Sequence, residues 1–142
     1  MRYLAIDYGN KRTGLAICDH SETIASPLAV IVSRKELLNR IIDIVKTENV
    51  DAIVLGLPLN MDDSAGPQAK LVRKFADQLK KHLDLPIHFQ DERLSTFGAE
   101  QKLADFDFTR KKKKQRLDAI AAADILQTFL DAKKTKSIRS SK

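Results

Sequence analysis

The stretch YLAIDYGNKRTGLAICD, residues 3–19, decides the fold of this chain. Two apolar runs, 3–7 and 13–19, flank a polar turn at 8–12 that contains a glycine. Apolar β-forming runs on either side of a short polar turn are typical of a β-hairpin. The sequence therefore predicts that the chain opens with two antiparallel strands, and the other elements are assigned outward from them.

Beyond the hairpin, the spacing of apolar residues alternates between that of strands and that of helices. Ser33 and Glu36 have the spacing of a capping box at the start of a helix, and Pro67 suits a first helical turn. Further strands are predicted at 27–32, 51–57 and 86–90, helices at 33–45, 67–83, 95–104 and 117–129, and loops at 58–64 and 105–114. The order βββαβαβαα predicts an α/β fold, in which helices cover both faces of a five-stranded mixed sheet.

Basic residues are concentrated towards the C-terminal end of the chain. There are 25 Lys and Arg against 19 Asp and Glu, yet residues 1–109 have a net charge of −2 and residues 110–142 one of +8. The excess lies in two blocks, 110–116 and 133–142. Concentrated cations favour a polyanion such as nucleic acid, because binding releases the counterions of the phosphates. The alternative is a basic tail that only keeps the chain soluble.

Length and apolar pattern indicate one domain. A single core suits 142 residues of which 43% are hydrophobic. The apolar period stops near residue 132, so we expect one domain over 1–132 and a disordered basic tail over 133–142. No apolar run approaches the ~18 residues of a membrane span or resembles a signal peptide, so we expect no membrane contact and a cytoplasmic protein. Cys18, the single cysteine, is predicted to be a small core residue.

Three acidic residues do not fit the usual pattern of solvated surface charges. Asp7 ends an apolar strand that must be buried, and a lone buried carboxylate costs several kcal/mol without a partner. Glu92 follows Asp91 after the last predicted strand, and Asp118 shares a helix face with small and apolar residues. The structural alternatives are a turn-capping role for Asp7 and an acidic helix start at 91–92.

If Asp7, Glu92 and Asp118 converge, each pair of carboxylates ~4 Å apart repels by ~4 kcal/mol at an effective dielectric constant of 20. A divalent cation relieves this repulsion, and oxygen-only ligands favour Mg²⁺ or Mn²⁺ over zinc. Pairs of such ions ~4 Å apart recur in phosphodiester hydrolysis. Together with the basic C-terminal blocks, the acids predict a metal-dependent nuclease. The sequence leaves open whether the site holds one ion or two, and whether Asp91 or Asp124 assists in holding them.

Four segments of the chain together resemble one known family. They are IDYGNKRTG at 6–14, GLPLNMD at 56–62, DERLST at 91–96 and LDAIAAADILQ at 117–127. In this order and spacing they resemble the YqgF family over residues 1 to about 131. Members of that family are ribonuclease-H-like proteins, described as Holliday junction resolvases and as nucleases that trim the precursor of small-subunit ribosomal RNA.

The resemblance implies one ribonuclease-H-like nuclease domain, whose sheet has three antiparallel strands followed by two parallel ones. It assigns catalysis and metal binding to Asp7, Glu92 and Asp118. It also implies that four residues line the groove and hold phosphates of the scissile strand: Lys11, Arg12, Asn60 and Arg93. Four further lysines precede the helix that carries Asp118 and are expected to bind the nucleic-acid backbone: Lys111, Lys112, Lys113 and Lys114.

One departure bears on the substrate. The better-known junction resolvases of this fold have a fourth acid one turn along the last helix, where this chain has Ala121. Asp124 is six residues after Asp118, about 240° around the helix, and cannot replace it. Processing of the 5′ end of pre-16S rRNA, a structured RNA precursor, is therefore the first hypothesis. Resolution of branched DNA is the alternative, and symmetric resolution would need two active sites and hence a homodimer.

Two other classes of protein fit parts of the sequence. The residues around Asp7 and Gly14 also resemble the phosphate loop of actin-like ATPases and sugar kinases, but those proteins close two such domains around a nucleotide, and 142 residues supply one. A module that binds nucleic acid without cleaving it would suit the basic tail. Three carboxylates in its groove would repel the phosphates that it must hold, so the sequence favours the nuclease.

Overall fold

The computed structural model describes residues 1–59, 62, 64–92 and 110–140. Eight helices and strands follow one another along this part of the chain. They are β1 Tyr3–Tyr8, β2 Thr13–Cys18, β3 Ala25–Ile31, α1 Leu37–Thr47, β4 Ala52–Leu57, α2 Pro67–His82, β5 Ile87–Asp91 and α3 Arg110–Ser140. Among the residues described, no helix combines the length and the apolar character needed to cross a membrane.

The five strands form one mixed sheet in the order β3-β2-β1-β4-β5. The first three strands pair as antiparallel neighbours, and β1–β4 and β4–β5 pair in parallel. The structure therefore confirms the predicted arrangement of three antiparallel strands followed by two parallel ones. Asp7 pairs with Gly14 across β1 and β2, and Leu57 pairs with Asp91 across β4 and β5.

Strand alternation gives the sheet two different apolar faces. On the face covered by α1 and α2, the α1/α2 face, the strand side chains are large and aliphatic: Leu4, Ile6, Leu15, Ile53 and Leu55. They pack with apolar residues of the two helices: Leu37, Ile41, Val72, Phe75 and Leu79. The strand side chains of the α3 face are mostly small and pack with Ala122, Ile125, Leu126 and Leu130: Tyr3, Ala5, Ala16, Cys18, Ala52 and Val54. Burial of Cys18 confirms its predicted place in the core.

The capping box predicted at Ser33 and Glu36 is wrong. Helix α1 begins at Leu37, and its N-cap residue, Glu36, makes no side-chain capping hydrogen bond. The reason is a turn before the helix, in which the Leu37 N–H donates to the carbonyl oxygen of Arg34 at 3.4 Å. This turn leaves Ser33 outside the helix. The predicted place of Pro67 is confirmed, because it is the first residue of α2.

Helix α3 is longer at both ends than the sequence predicts. It begins at Arg110 and continues through Ser140, so the predicted loop is wrong over 110–114 and the expected disordered tail is helical up to residue 140. Lys, Arg and Gln are good helix formers, which favours the early start. Beyond residue 132, the Lys133 ammonium group donates to Glu22 and to the Tyr3 hydroxyl group and holds this turn against the sheet. The helix predicted at 95–104 lies outside the described residues.

Candidate active site

The predicted acids lie on the α3 face, at the edge of the sheet where β1, β4 and β5 end. Asp7 follows Tyr3 and Ala5 in the alternation of β1, which directs its side chain to the α3 face. Glu92 comes one residue after β5 and contacts Gly56 of β4. Asp118 lies on α3 beside Gly14 of β2. Three elements that are far apart in the sequence thus meet at one edge of the sheet.

Asp7 and Glu92 form a hydrogen-bonded pair of carboxyl groups. Burial raises the pKa of Asp7, and burial together with the negative charge of Asp7 raises the pKa of Glu92 to about 8. The two carboxyl groups therefore share a proton at neutral pH. The negative charge of nearby Asp91 adds to the rise of the pKa of Glu92.

Asp118 is the third acid of the group, and it is ion-paired with Arg12. The Arg12 Nε–H donates to the Asp118 Oδ2 atom at 2.6 Å, and the two side chains are 29% and 27% exposed. The charge of Asp118 also contributes to the raised pKa of Asp7, which places it within electrostatic reach of the pair. Arg12, predicted to hold phosphate, thus contacts a predicted catalytic acid.

Two glycines allow the close approach of these elements. A Cβ atom at position 14 would clash with the backbone carbonyl oxygen of Asp118, and one at position 56 would lie 2.5 Å from the Glu92 Oε1 atom. Any larger residue at Gly14 would push α3 away from the sheet. Sequence reasoning did not assign these roles to Gly14 and Gly56, although a glycine inside a strand often marks a close approach of backbone.

The structure tests the other predicted site residues only in part. Lys11 is exposed in the turn between β1 and β2. Lys111 to Lys114 lie in the first turns of α3, where only the backbone is described. Asn60 and Arg93 lie outside the described residues. On α3, Ala121 occupies the position one turn after Asp118, as the sequence requires.

Comparison with known proteins identifies the family. The model of a family described as "RuvX: Holliday junction resolvase" matches residues 1–132. The chain belongs to this family. RuvX is the YqgF family, so the resemblance found in the sequence is confirmed.

Two curated relatives of this RuvX chain have the same name. A protein of Roseiflexus sp. (strain RS-1), named "Putative pre-16S rRNA nuclease", is 42% identical over 135 residues, which are 94% of this chain and 96% of that protein. A protein of Bacillus cereus (strain B4264) with that name is 44% identical over 137 residues, 94% of this chain and 100% of that protein.

A solved structure shows that the fold is that of RuvC. The structure of Thermus thermophilus RuvC in complex with a Holliday junction substrate matches with a TM-score of 0.57 and 13% sequence identity. The match covers 94% of this chain and 96% of that one. At this identity the likeness concerns the fold alone, which is the ribonuclease-H-like fold that the sequence predicts.

The donor chemistry of the RuvX site suits a divalent cation. Asp7 and Glu92 are half-buried carboxyl groups in contact, and burial raises the pKa of both, with the negative charge of Asp7 adding to the rise for Glu92. A shared proton relieves the repulsion between the two ionised groups, and Mg²⁺ or Mn²⁺ would relieve the same repulsion. Among the described residues, no three acids, His or Cys are grouped closely enough to ligate one ion together. Asp118 is held by Arg12 instead.

Proposed function

We propose that this chain is a metal-dependent endonuclease that hydrolyses phosphodiester bonds in the 5′ region of pre-16S rRNA. The observation that carries the proposal is the proton-sharing pair of Asp7 and Glu92 beside Asp118, on the face of a RuvC-like sheet. Strongly perturbed carboxyl groups that cluster at one edge are typical of functional sites. An rRNA precursor as substrate would place the protein in the cytoplasm.

Each acid has a defined part in this proposal. Asp7 and Glu92 would hold one or two Mg²⁺ or Mn²⁺ ions, and Asp118 would join them once Arg12 leaves it. The bound metal would activate water and stabilise the charge that develops on the leaving oxygen. Asp7 and Glu92 are half-buried, so their charges would be screened less by water than those of exposed acids and would act more strongly on a cation that they hold.

The basic residues of the proposal bind the nucleic-acid backbone. Lys11 is exposed in the β1–β2 turn, and Arg12 of the same turn reaches the acids. A phosphate that enters the site offers Arg12 a second anionic partner, in exchange for Asp118. We assign the same backbone contacts to Asn60, Arg93 and the lysines at 111–114.

Two observations favour an RNA precursor over branched DNA. Curated relatives that are 42% and 44% identical are named for pre-16S rRNA. Ala121 stands one turn after Asp118, where the better-known junction resolvases have a fourth acid. Junction resolution is the second candidate, because the family is described by that activity. It would require a homodimer with two active sites.

The test is direct cleavage with matched substrates. The purified protein is incubated with a pre-16S rRNA fragment and with a four-way DNA junction, each with Mg²⁺, with Mn²⁺ or with EDTA. We expect cleavage of the RNA in either metal and none in EDTA. An Asp7→Asn variant, purified in parallel, controls for contaminating nucleases.

Each other outcome changes the proposal in a definite way. Cleavage of the junction but not of the RNA would replace the first candidate with the second. Cleavage that persists in EDTA would overturn the metal dependence. Tight binding of both substrates without cleavage in any metal would make the chain a nucleic-acid-binding module.

A further inference from the structure

The turn between β1 and β2 carries two basic residues, of which Arg12 reaches the acids. Arg12 lies at its end and pairs with Asp118, and Lys11 precedes it. Asn10 and Lys11 are exposed, so the tip of the turn contributes little to the core. Exposed polar turns are mobile unless other groups hold them. Some contact must therefore fix where Arg12 and Lys11 are presented.

Arg34, on the segment before α1, makes that contact. Its guanidinium group donates to the Gly9 carbonyl oxygen at 2.8 Å and to the Asn10 carbonyl oxygen at 2.8 Å. It also donates to the Tyr8 hydroxyl group at 2.7 Å. The three acceptors belong to consecutive residues of the hairpin. One side chain thus fixes the backbone immediately before Lys11 and Arg12.

Arg34 is itself held on the α1/α2 face of the sheet. Its guanidinium carbon lies 4.9 Å from the centre of the Tyr8 ring. That ring stacks on Phe75 of α2, with ring centroids 4.4 Å apart and planes 13° apart. The Gln68 side chain of α2 donates to the Tyr8 carbonyl oxygen at 3.0 Å. The turn is therefore attached to buried groups on the side of the sheet opposite to the acids.

We propose that Arg34 is a positioning residue, which holds the β1–β2 turn so that Lys11 and Arg12 are presented to the substrate phosphates beside the acids. The proposal rests on the nuclease function proposed above. Arg34 acts on the reaction through the turn and not by contact with the scissile phosphate. It is absent from the four segments that carry the family resemblance.

An arginine is required for this role. Its planar guanidinium group presents several N–H donors at fixed angles, can bind two carbonyl oxygens at once and can stack on a ring. A lysine keeps the positive charge but has a single ammonium group on a flexible chain. Arg34 could affect the protein through its positive charge or through its planar set of N–H donors. Arg34→Lys separates these two effects, since it preserves the charge and removes the planar donors.

The first measurement follows the turn itself. We expect Arg34→Lys to increase the mobility of the backbone amides at 9–12 in ¹⁵N relaxation, with an unchanged sheet and a melting temperature close to that of the wild type. Arg40→Lys is the matched control, because Arg40 is an exposed arginine of α1 six residues after Arg34. Unchanged relaxation at 9–12 in Arg34→Lys would overturn the proposal, whether or not the protein proves to be a nuclease.

The second measurement follows cleavage of the substrate identified above. A loosened turn misplaces Arg12, so we expect Arg34→Lys to lower single-turnover cleavage by roughly tenfold to a hundredfold at saturating substrate. Arg40→Lys should cleave at the wild-type rate. If Arg34 served only as a positive charge for distant phosphate, Arg34→Lys would retain wild-type cleavage, and that result would overturn the proposal.

A double-mutant cycle decides whether Arg34 acts through the turn. In a Lys11→Ala, Arg12→Ala background, the turn has no basic group left to position, so Arg34→Lys should lower cleavage no further. An equal loss in both backgrounds would show that Arg34 contacts the substrate itself and would overturn the positioning role. Absence of cleavage by the wild type contradicts the proposed function alone, because the relaxation test of the turn remains valid.

Discussion

The two faces of the central sheet solve different problems. On the α1/α2 face, large side chains such as Leu4, Leu15 and Leu55 bury as much apolar area as the strands allow. On the α3 face, the strands have alanine at positions 5, 16 and 52 and glycine at positions 14 and 56. Helix α3 packs against these small residues. Small residues bury less area but bring the backbones closer together. The α3 face thus gives up hydrophobic stabilisation for the close approach that brings Asp118 of α3 and Glu92 to the same edge of the sheet as Asp7.

Neighbouring residues of β1 show how one strand serves both faces. Asp7 faces α3 and the acids, whereas Tyr8 faces α2 and stacks on Phe75. The turn that follows is attached through Tyr8 and Arg34 on one face and pairs with Asp118 through Arg12 on the other. The proposed role of Arg34 thus makes the chemistry on one face depend on packing on the opposite one.

The largest effect is expected from the acids themselves. Asp7→Asn removes a charge that the proposed metal needs, so we expect single-turnover cleavage to fall by about a thousandfold. Nucleic-acid affinity should be unchanged or higher, because Lys11 and Arg12 remain and one repelling charge is gone. Filter binding and cleavage are measured on the same preparation. Equal losses of binding and cleavage would make Asp7 a structural residue.

Glu92→Gln and Asp118→Asn extend this prediction. Since the three acids act as one unit, each change should abolish most cleavage, and a double variant should be little worse than either single one. Wild-type cleavage by Asp118→Asn would contradict the site of three acids.

Gly14→Ala tests the close packing of the α3 face. The added methyl group would force α3 away from β2, which we expect to lower the free energy of unfolding by about 3 kcal/mol and cleavage by about a hundredfold. Leu79→Ala on α2 is the control on the opposite face, with a similar expected loss of about 3 kcal/mol. Cleavage is compared per folded molecule at low temperature. Equal losses of cleavage in both variants would show that the site does not depend on α3 packing.

The paired carboxyl groups predict an unusual dependence of stability on pH. The pKa of Glu92 has its ordinary value of 4.5 in the unfolded chain and is about 8 in the folded protein, so the unfolded state loses its proton first as the pH rises. The free energy of unfolding should therefore fall between these two values, by about 2 kcal/mol after allowance for partial exposure. Glu92→Gln should remove this slope and be the more stable protein at pH 8 in EDTA.

Urea denaturation at several pH values measures this effect, and Mg²⁺ provides the second arm. A divalent cation compensates the same charges, so it should stabilise the wild type more at pH 8 than at pH 6, and Glu92→Gln less than the wild type. A wild-type stability that rises between pH 5 and 8 would contradict the shared proton.

The smallest effect is expected from the C-terminal cations. Lys133 is anchored to Glu22 and Tyr3, so a truncation that removes 136–142 spares this contact while deleting three cations. We expect nearly unchanged stability, and a slope of log K against log salt that is flatter by roughly 0.7 to 0.9 for each phosphate that the shortened protein no longer neutralises.

Two comparisons sharpen the truncation experiment. Replacing the four lysines at 111–114 with Gln should weaken binding and also lower turnover at saturating substrate, because those lysines precede Asp118 on α3. Replacing three exposed lysines of α2, Lys74, Lys80 and Lys81, with Gln is the control. It should leave the slope of log K against log salt unchanged. If the truncated protein has the same slope of log K against log salt as the wild type, residues 136–142 only keep the protein soluble.

Local patterns were sufficient to predict the strands and to select three acids that the structure brings to one edge of the sheet, although their catalytic role stays a prediction. Asp7 was recognisable because a carboxylate ended an apolar strand, and Asp118 because it shared a helix face with alanines. Contacts between distant segments were not predictable in this way. Arg12 and Asp118 are 106 residues apart in the sequence. Arg34, which lies within the wrongly predicted capping box, contacts a turn 24 to 26 residues away. No periodicity encodes such pairs, nor the shared proton, which depends on burial in the folded state.

The position of Asp118 on α3, after all five strands, also sets the order in which the three acids of the proposed site are synthesised. All five strands are made before α3, and at roughly 5–20 residues per second the 31 residues of α3 take roughly 2–6 s to follow. Until then the α3 face lacks the cover that α3 provides, and Asp118 has not joined Asp7 and Glu92. Under the proposed function, a growing chain therefore lacks its third acid until α3 has been made, and a sheet that has folded without α3 does not expose the ribosome to the proposed site of three acids.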